Sequence, residues 1–274
     1  MSYENIILEK GNGIAHLILS RPVKRNALSR ALLREFDSAI DDVQRDPAMR
    51  VLVIKGAGKA FCAGFDLTDP EARDRENMAL FEFVEEERES GYRSMDRWLR
   101  LWNVSQAVIA QVHGYCLAGG CELAMICDIT IAAEDAILGY PVSRMGVSSR
   151  HIFPWVLGMK RTKELLLTGN NISGSEADRI GMINRAVPAN KLEEEVDKLA
   201  RRIAEMPLEL IKLHKAATNK TFEIMGFKSA IDYGLELHAL GHLTDSRSNF
   251  DKTVKENGLK AAVTDRDKSL TGKD

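Results

Sequence analysis

The chain has 274 residues, 45% of them hydrophobic and 28% charged, with a formal net charge of −2. That is the composition of a globular protein holding one large domain or two small ones. Such a balance offers no basic surface for nucleic acid and no polybasic patch for a membrane. No apolar run reaches the roughly 18 residues of a spanning helix. The opening MSYENIILEKGNG has no signal-peptide pattern. The expected setting is the cytoplasm, with neither nucleic acid nor membrane as partner. Cys62, Cys116, Cys121 and Cys127 stand in apolar contexts without CxxC spacing. They read as small buried hydrophobes in a reducing compartment, and no metal site is expected.

Apolar residues at 6–8 and 14–19 flank Gly11-Asn12-Gly13, a hairpin signal. Residues 21–28 (RPVKRNAL) form a basic loop. Ser29 can cap a helix reaching to about Arg45, with Leu32, Leu33, Phe36 and Ile40 on one face. The run 51–55 has the continuous apolar character of a buried strand. It leads through glycines into KAFCAGFDL at 59–67. Asp66 there reads as a cap or turn residue. The segment 68–97 is charged, with Glu85-Glu86-Glu87 at its centre, and is expected to form solvated helix faces or a flap. Trp98, Leu99, Leu101 and Trp102 follow as an inner helix face.

A second apolar run, 108–112, precedes HGYCLAGGCELAMICD at 113–128. Strand, glycine turn and helix is the natural reading. Gly119 and Gly120 carry no Cβ and let another group approach the backbone. The first amides of a helix lack an intrahelical acceptor and sit at its electropositive end. An oxygen gaining negative charge is well held there, and Glu122 lies in that first turn. Short strands at 129–132 and 136–138 lead to GYPVSRMGVSSRH at 139–151, rich in polar groups: Tyr140, Ser143, Arg144, Ser148, Ser149, Arg150 and His151. Ser173-Gly-Ser-Glu176 matches a capping box ahead of a helix at 177–180, and a last strand is expected at 184–187. Beyond Pro188 the pattern is helical to about His242. Residues 265–268 read as a frayed, solvated end.

The pair FCAGFDL and HGYCLAGGCELAMICD, about fifty residues apart, resembles the crotonase (enoyl-CoA hydratase/isomerase) superfamily. RPVKRNAL at 21–28 is similar to that family's first coenzyme A loop, and LLLTGNNISGSEADRIGMINRA at 165–186 to its later helical signature. The resemblance runs from about residue 6 to about residue 260. It implies an α/β fold: a ββα superhelical spiral core over 1–190, and a C-terminal helical region over 191–274 that covers the site and drives trimerisation. It implies an enzyme acting on acyl-CoA thioesters through an enolate, as a homotrimer or dimer of trimers. No cofactor is expected, since coenzyme A is part of the substrate. The amides of Phe65 and Gly119 take the oxyanion positions, and Glu122 is the acid–base group. Lys24, Arg25, Ala27, Ala63, Gly64, Asp66, Gly120 and Val142 fall at substrate-binding positions, with Lys24 or Arg25 near a phosphate. Phe250 and Lys260 fall where relatives send a helix over a neighbouring coenzyme A.

One departure stands out. The family's two-glutamate hydratases carry a second glutamate just after a proline, and here that place is Val142, after Pro141. Hydratase or isomerase chemistry with one glutamate is the leading reading. Two alternatives remain open: a hydrolase using the same oxyanion hole with His151 or Tyr140 recruited, and a non-catalytic or RNA-binding member; Arg144 is a further candidate polar group of the site.

Overall fold

The computed structural model describes residues 3–71, 78–146 and 152–268. Asn12 and Gly13 take positive φ values of 53° and 79°, so β1 (Ile6–Gly11) folds back on β2 (Ile14–Leu19) through a tight turn. Helix α1 (Arg30–Arg45) starts where Ser29 Oγ accepts from the Leu32 amide at 3.2 Å, and it buries Leu32, Leu33, Phe36 and Ile40. From there the chain repeats a unit of two strands and a helix: β3 (Val51–Gly56), β4 (Ala60–Cys62) and α2 (Leu80–Trp102); β5 (Ala107–Val112), β6 (Tyr115–Leu117) and α3 (Gly119–Ile126); β7 (Ile129–Ala133), β8 (Ile137–Gly139) and α4 (Phe153–Thr168). The first strand of each unit joins a six-stranded sheet, ordered β1-β2-β3-β5-β7-β10, and the second a four-stranded sheet, ordered β4-β6-β8-β9. Here β9 is Asn171–Ser173 and β10 is Arg185–Val187, with α5 (Gly174–Arg179) between them. Apart from antiparallel β1 and β9, neighbouring strands run parallel, and β3 and β5 are almost wholly buried, as parallel strands covered on both faces must be. This is the spiral core the resemblance implies.

Ser173 Oγ accepts from the Glu176 amide at 3.1 Å, so the capping signal forms, and the helix it starts is one turn earlier than 177–180. Helices α6 (Leu192–Ala204), α7 (Leu208–Ile224), α8 (Phe227–Gly241) and α9 (Asp245–Asp267) complete the chain. Leu192, Val196, Phe227, Ile231 and Leu235 join the same apolar core as the sheets.

Two expectations need correction. The charged run is a solvated helix face only in part: α2 is one 23-residue helix that exposes Glu82, Glu89, Arg93 and Asp96 but buries Glu86 and Glu87. The helix has been drawn inward by Trp98, Leu101 and Met95 on the same side, and α8 covers its other half. Nor does 265–268 fray. Helix α9 continues to Asp267, which pairs with Arg144 at 3.3 Å, while Arg266 lies against Met145 Sδ at 3.5 Å. Phe250 packs with Met145 and Ala262 of its own chain, so α9 rests on the 3-10 turn Pro141–Met145. Ser148, Ser149, Arg150 and His151 lie outside the described residues.

Candidate active site

The loop 21–28 is held against the turn that follows β4. Leu28 N–H donates to Gly64 O at 2.8 Å and Asp66 N–H to Leu28 O at 3.1 Å. Alternation along an extended strand then directs the Phe65 amide away from Leu28. Ala63 N–H donates to Arg25 O at 3.0 Å. Buried Asn26 ties the loop to the sheet: its Nδ2 donates to Ala57 O and Ala60 O, and its Oδ1 accepts from the Arg21 amide. Asn26 escaped the sequence reading, where only its position inside RPVKRNAL marks it. Arg21 reaches Asp66 at 2.9 Å and Ala27 O at 2.6 Å. Burial alone would raise the Asp66 carboxyl, but bonds from the Thr68 amide and hydroxyl and from Arg21 hold it below the usual carboxylate range. Asp66 thus anchors the turn. Lys24 Nζ donates to Thr68 Oγ1, and the Arg25 guanidinium lies 4.9 Å over the ring of Tyr115. Both cations are therefore placed on this rim.

Helix α3 opens beside that turn. A side chain at Gly64 (φ +101°) would collide with Ala118 Cβ, and the Gly119 nitrogen lies 3.4 Å from the same point. A side chain at Gly119 would strike the Phe65 ring, and one at Gly120 the Cys62 carbonyl. The two turns touch because these positions lack Cβ atoms. Ala118, which caps α3, has φ 51° and ψ −120°, a costly conformation for a residue with a Cβ. Among the described residues nothing accepts from the Gly119 N–H.

Glu122 is 1% exposed and Tyr140 3%, and the Tyr140 hydroxyl donates to Glu122 Oε1 at 3.0 Å. Phe153 holds the tyrosine ring edge-on at 5.3 Å. Val142 sits two residues further, half-buried in the 3-10 turn, and presents only a branched alkyl group. Arg144 is turned toward Asp267 instead, and burial lowers its guanidinium's pKa. The thiols behind the turns are packing groups, and burial pushes that of Cys62 up to about 12. A cavity of about 480 Å³ opens at the opposite end of α3, among Met125, Asp128, Trp155, Lys215 and Phe222, and none of Phe65, Gly119 or Glu122 lines it.

The enoyl-CoA hydratase/isomerase family model matches residues 9–256. The chain belongs to the enoyl-CoA hydratase/isomerase family. It is 36% identical over 244 residues to a crotonyl-CoA hydratase of Syntrophomonas wolfei, covering 87% of this chain and 88% of that one. The structure of an enoyl-CoA hydratase/isomerase from Xanthobacter autotrophicus Py2 superposes with a TM-score of 0.88 at 32% identity, over 97% of this chain and 98% of that one. An enoyl-CoA hydratase of Mycobacterium smegmatis gives 0.90 at 26% identity, over 98% and 94%. The protein is thus an enzyme of this acyl-CoA family with its α/β spiral fold. Among the described residues, no helix is long and apolar enough to cross a membrane.

Proposed function

We propose that the protein binds an enoyl-CoA thioester with its carbonyl oxygen between the amides of Phe65 and Gly119, and that Glu122 moves the proton. An enolate places its charge on that oxygen, where two aimed amides at a helix start stabilise it. The observation that carries the reading is the Glu122–Tyr140 pair: a buried carboxylate that accepts from a tyrosine hydroxyl, beside the touching glycine turns. With Val142 in place of a second carboxylate, the simplest chemistry is a shuttle. Glu122 takes a proton from Cα of a 3-enoyl thioester, leaving the enolate, and returns it to Cγ, giving the 2-enoyl isomer. Hydration is the second reading, favoured by the relatives named as hydratases. Glu122 then takes the proton of an attacking water and delivers it to Cα.

Lys24, Arg25 and the backbone of 25–27 line the rim for the nucleotide, with Tyr115 holding the Arg25 side chain. Leu213, Ile224, Met225 and Tyr233 are exposed on α7 and α8 and suit burial in a homotrimer or dimer of trimers. Sedimentation at micromolar concentration checks this, and a stable monomer contradicts it. No cofactor enters either reaction, and the cytoplasm remains the expected location. The deciding experiment offers crotonyl-CoA and a 3-enoyl-CoA side by side. Turnover of the 3-enoyl substrate alone supports the shuttle, crotonyl-CoA hydration supports the second reading, and turnover of neither defeats both.

A further inference from the structure

We propose that Glu87 and His242 form the distal wall of the acyl site and select acyl chains that end in a hydroxyl group. The inference rests on the acyl-CoA reading above.

Gly91 lets α2 and α8 come together, since a side chain there would lie 3.1 Å from Leu235 Cδ2 and 3.9 Å from the ring of His238. Around this crossing other charges are matched in pairs. Arg88 meets Glu236 at 2.9 Å, and Arg93 meets Glu86 at 3.2 Å. Inside it, Glu87 Oε2 lies 3.4 Å from His242 Nε2, and the His242 ring stands edge-on to His238 at 4.9 Å. The two side chains are only 4% and 8% exposed. Packing does not require such a pair. Buried ion pairs are often replaced by apolar residues of similar volume at no loss of stability. Glu87 and His242 therefore call for a role beyond holding the helices together.

Their position supplies one. His242 ends α8, and the next turn of chain lies against Gly146: a Cβ on Gly146 would run into Thr244 Oγ1 and approach Gly241 O at 3.3 Å. Gly146 closes the 3-10 turn Pro141–Met145, whose other end follows Tyr140, the partner of Glu122. Five residues of 3-10 turn span roughly 10 Å. The reacting centre and the Glu87–His242 pair thus stand at opposite ends of one short turn, a separation suited to a medium-length acyl chain. A hydrocarbon terminus makes no hydrogen bond to this polar pair. An alcohol does, donating to the Glu87 carboxylate and accepting from the imidazole N–H of His242.

The experiment measures binding of hexanoyl-, octanoyl- and decanoyl-CoA, each with and without a terminal hydroxyl, to the intact protein by calorimetry. These saturated thioesters cannot be hydrated or isomerised. At one chain length the hydroxylated thioester is expected to bind at least 10-fold more tightly than its alkyl counterpart. The Glu87→Leu/His242→Leu protein is expected to reverse that preference, and Glu87→Gln to keep part of it. Equal binding of each pair by the native protein overturns the inference while leaving the acyl-CoA reading intact. Failure of every thioester to bind defeats both. If the double-leucine protein does not fold, the native and Glu87→Gln measurements still decide.

Discussion

The two ends of α3 are made of the same helix and treated in opposite ways. At the C-terminal end the side chains of Thr130, Cys127 and Asp128 are engaged by the chain itself. Thr130 Oγ1 donates to Ala124 O at 2.7 Å and the Cys127 thiol to Leu123 O at 3.1 Å. Asp128 Oδ2 accepts from the Val108 amide at 2.7 Å and from Lys215 Nζ at 2.6 Å, and Lys215 also donates to Gln106 O. A carboxylate just past a helix C-terminus is at the wrong end of the dipole. Burial pushes Asp128 up as well, against the pull of Lys215. The ammonium of α7 therefore fixes the position of a C-terminal helix on the core. At the N-terminal end the Gly119 amide has no acceptor among the described residues, and Glu122 sits at the favourable end of the dipole. On the proposed function, the difference separates bonding capacity kept for a ligand from bonding capacity used to hold the fold.

The strongest way to break this comparison is to alter the ligand end. Glu122→Gln keeps shape but cannot take a proton, and should lower turnover by about 10²–10⁴-fold with coenzyme A thioester binding retained. Gly119→Pro, placed in a Phe65→Ala background that clears the ring, removes one amide at a helix position that tolerates proline. It should lower turnover by about 10²–10³-fold relative to Phe65→Ala alone. Full activity in either protein would show that this end is structural too.

At the other end the expected loss is in stability. Lys215→Met strands a buried carboxylate and should cost about 3–5 kcal/mol in denaturant unfolding. Adding Asp128→Asn should recover much of it. Turnover per folded molecule should stay unchanged in both. A large fall in turnover without a fall in stability would place this end in the chemistry.

How far this contrast could be read in advance differs along the chain. The glycine pair, Glu122 and the strand before them were legible, because a turn that must lack Cβ atoms and a carboxylate at a helix start leave local marks. The hairpin, the Ser29 cap and the buried strands were legible for the same local reason. The short strand β6 was not, since three residues between glycines carry no period. Helix α4 was hidden by its Pro154 and Gly158, and the positive φ of 68° at Gly158 kinks it. The burial of Glu86 and Glu87 depends on Gly91 and on α8, some 150 residues away, so the charge run alone pointed outward. The Tyr140–Glu122 bond is likewise a contact across 18 residues. Tyr140 was only one of several polar groups in its loop.

Acid should separate two carboxylates that lie on opposite sides of the comparison. Asp66, anchoring the turn that carries Phe65, is held below its ordinary value, so the unfolded chain binds its proton first. The stability it contributes is present above about pH 4 and is lost as pH falls toward its folded value. Asp128 is raised, so the folded chain binds that proton first. Its contribution is complete below the ordinary value and declines as pH rises through the folded one. Hydrogen exchange between pH 5 and 3 should therefore show the amides of Leu28 and Asp66 losing protection before the Val108 amide. Asp66→Asn should remove the acid dependence of the Leu28 amide. Loss of Val108 protection first reverses the assignment.

The smallest test deletes one hydroxyl at each end of the helix. Tyr140→Phe removes the hydroxyl that donates to Glu122 Oε1 while the ring stays against Phe153. A hydrogen bond to a charged group is worth about 1.5–3 kcal/mol, so turnover should fall by roughly 10–100-fold if the bond positions the carboxylate during proton transfer. Thr130→Val removes the bond to Ala124 O with little change in shape. It should cost about 1 kcal/mol of stability and leave turnover unaltered. The two proteins differ from the native chain by one oxygen each, and their bonds have almost the same length. What distinguishes them is which end of α3 they occupy. The pH profile of kcat decides the first case: displacement of its acid limb in Tyr140→Phe shows that the hydroxyl acts on Glu122, whereas an unchanged limb with lowered stability makes the bond structural like that of Thr130.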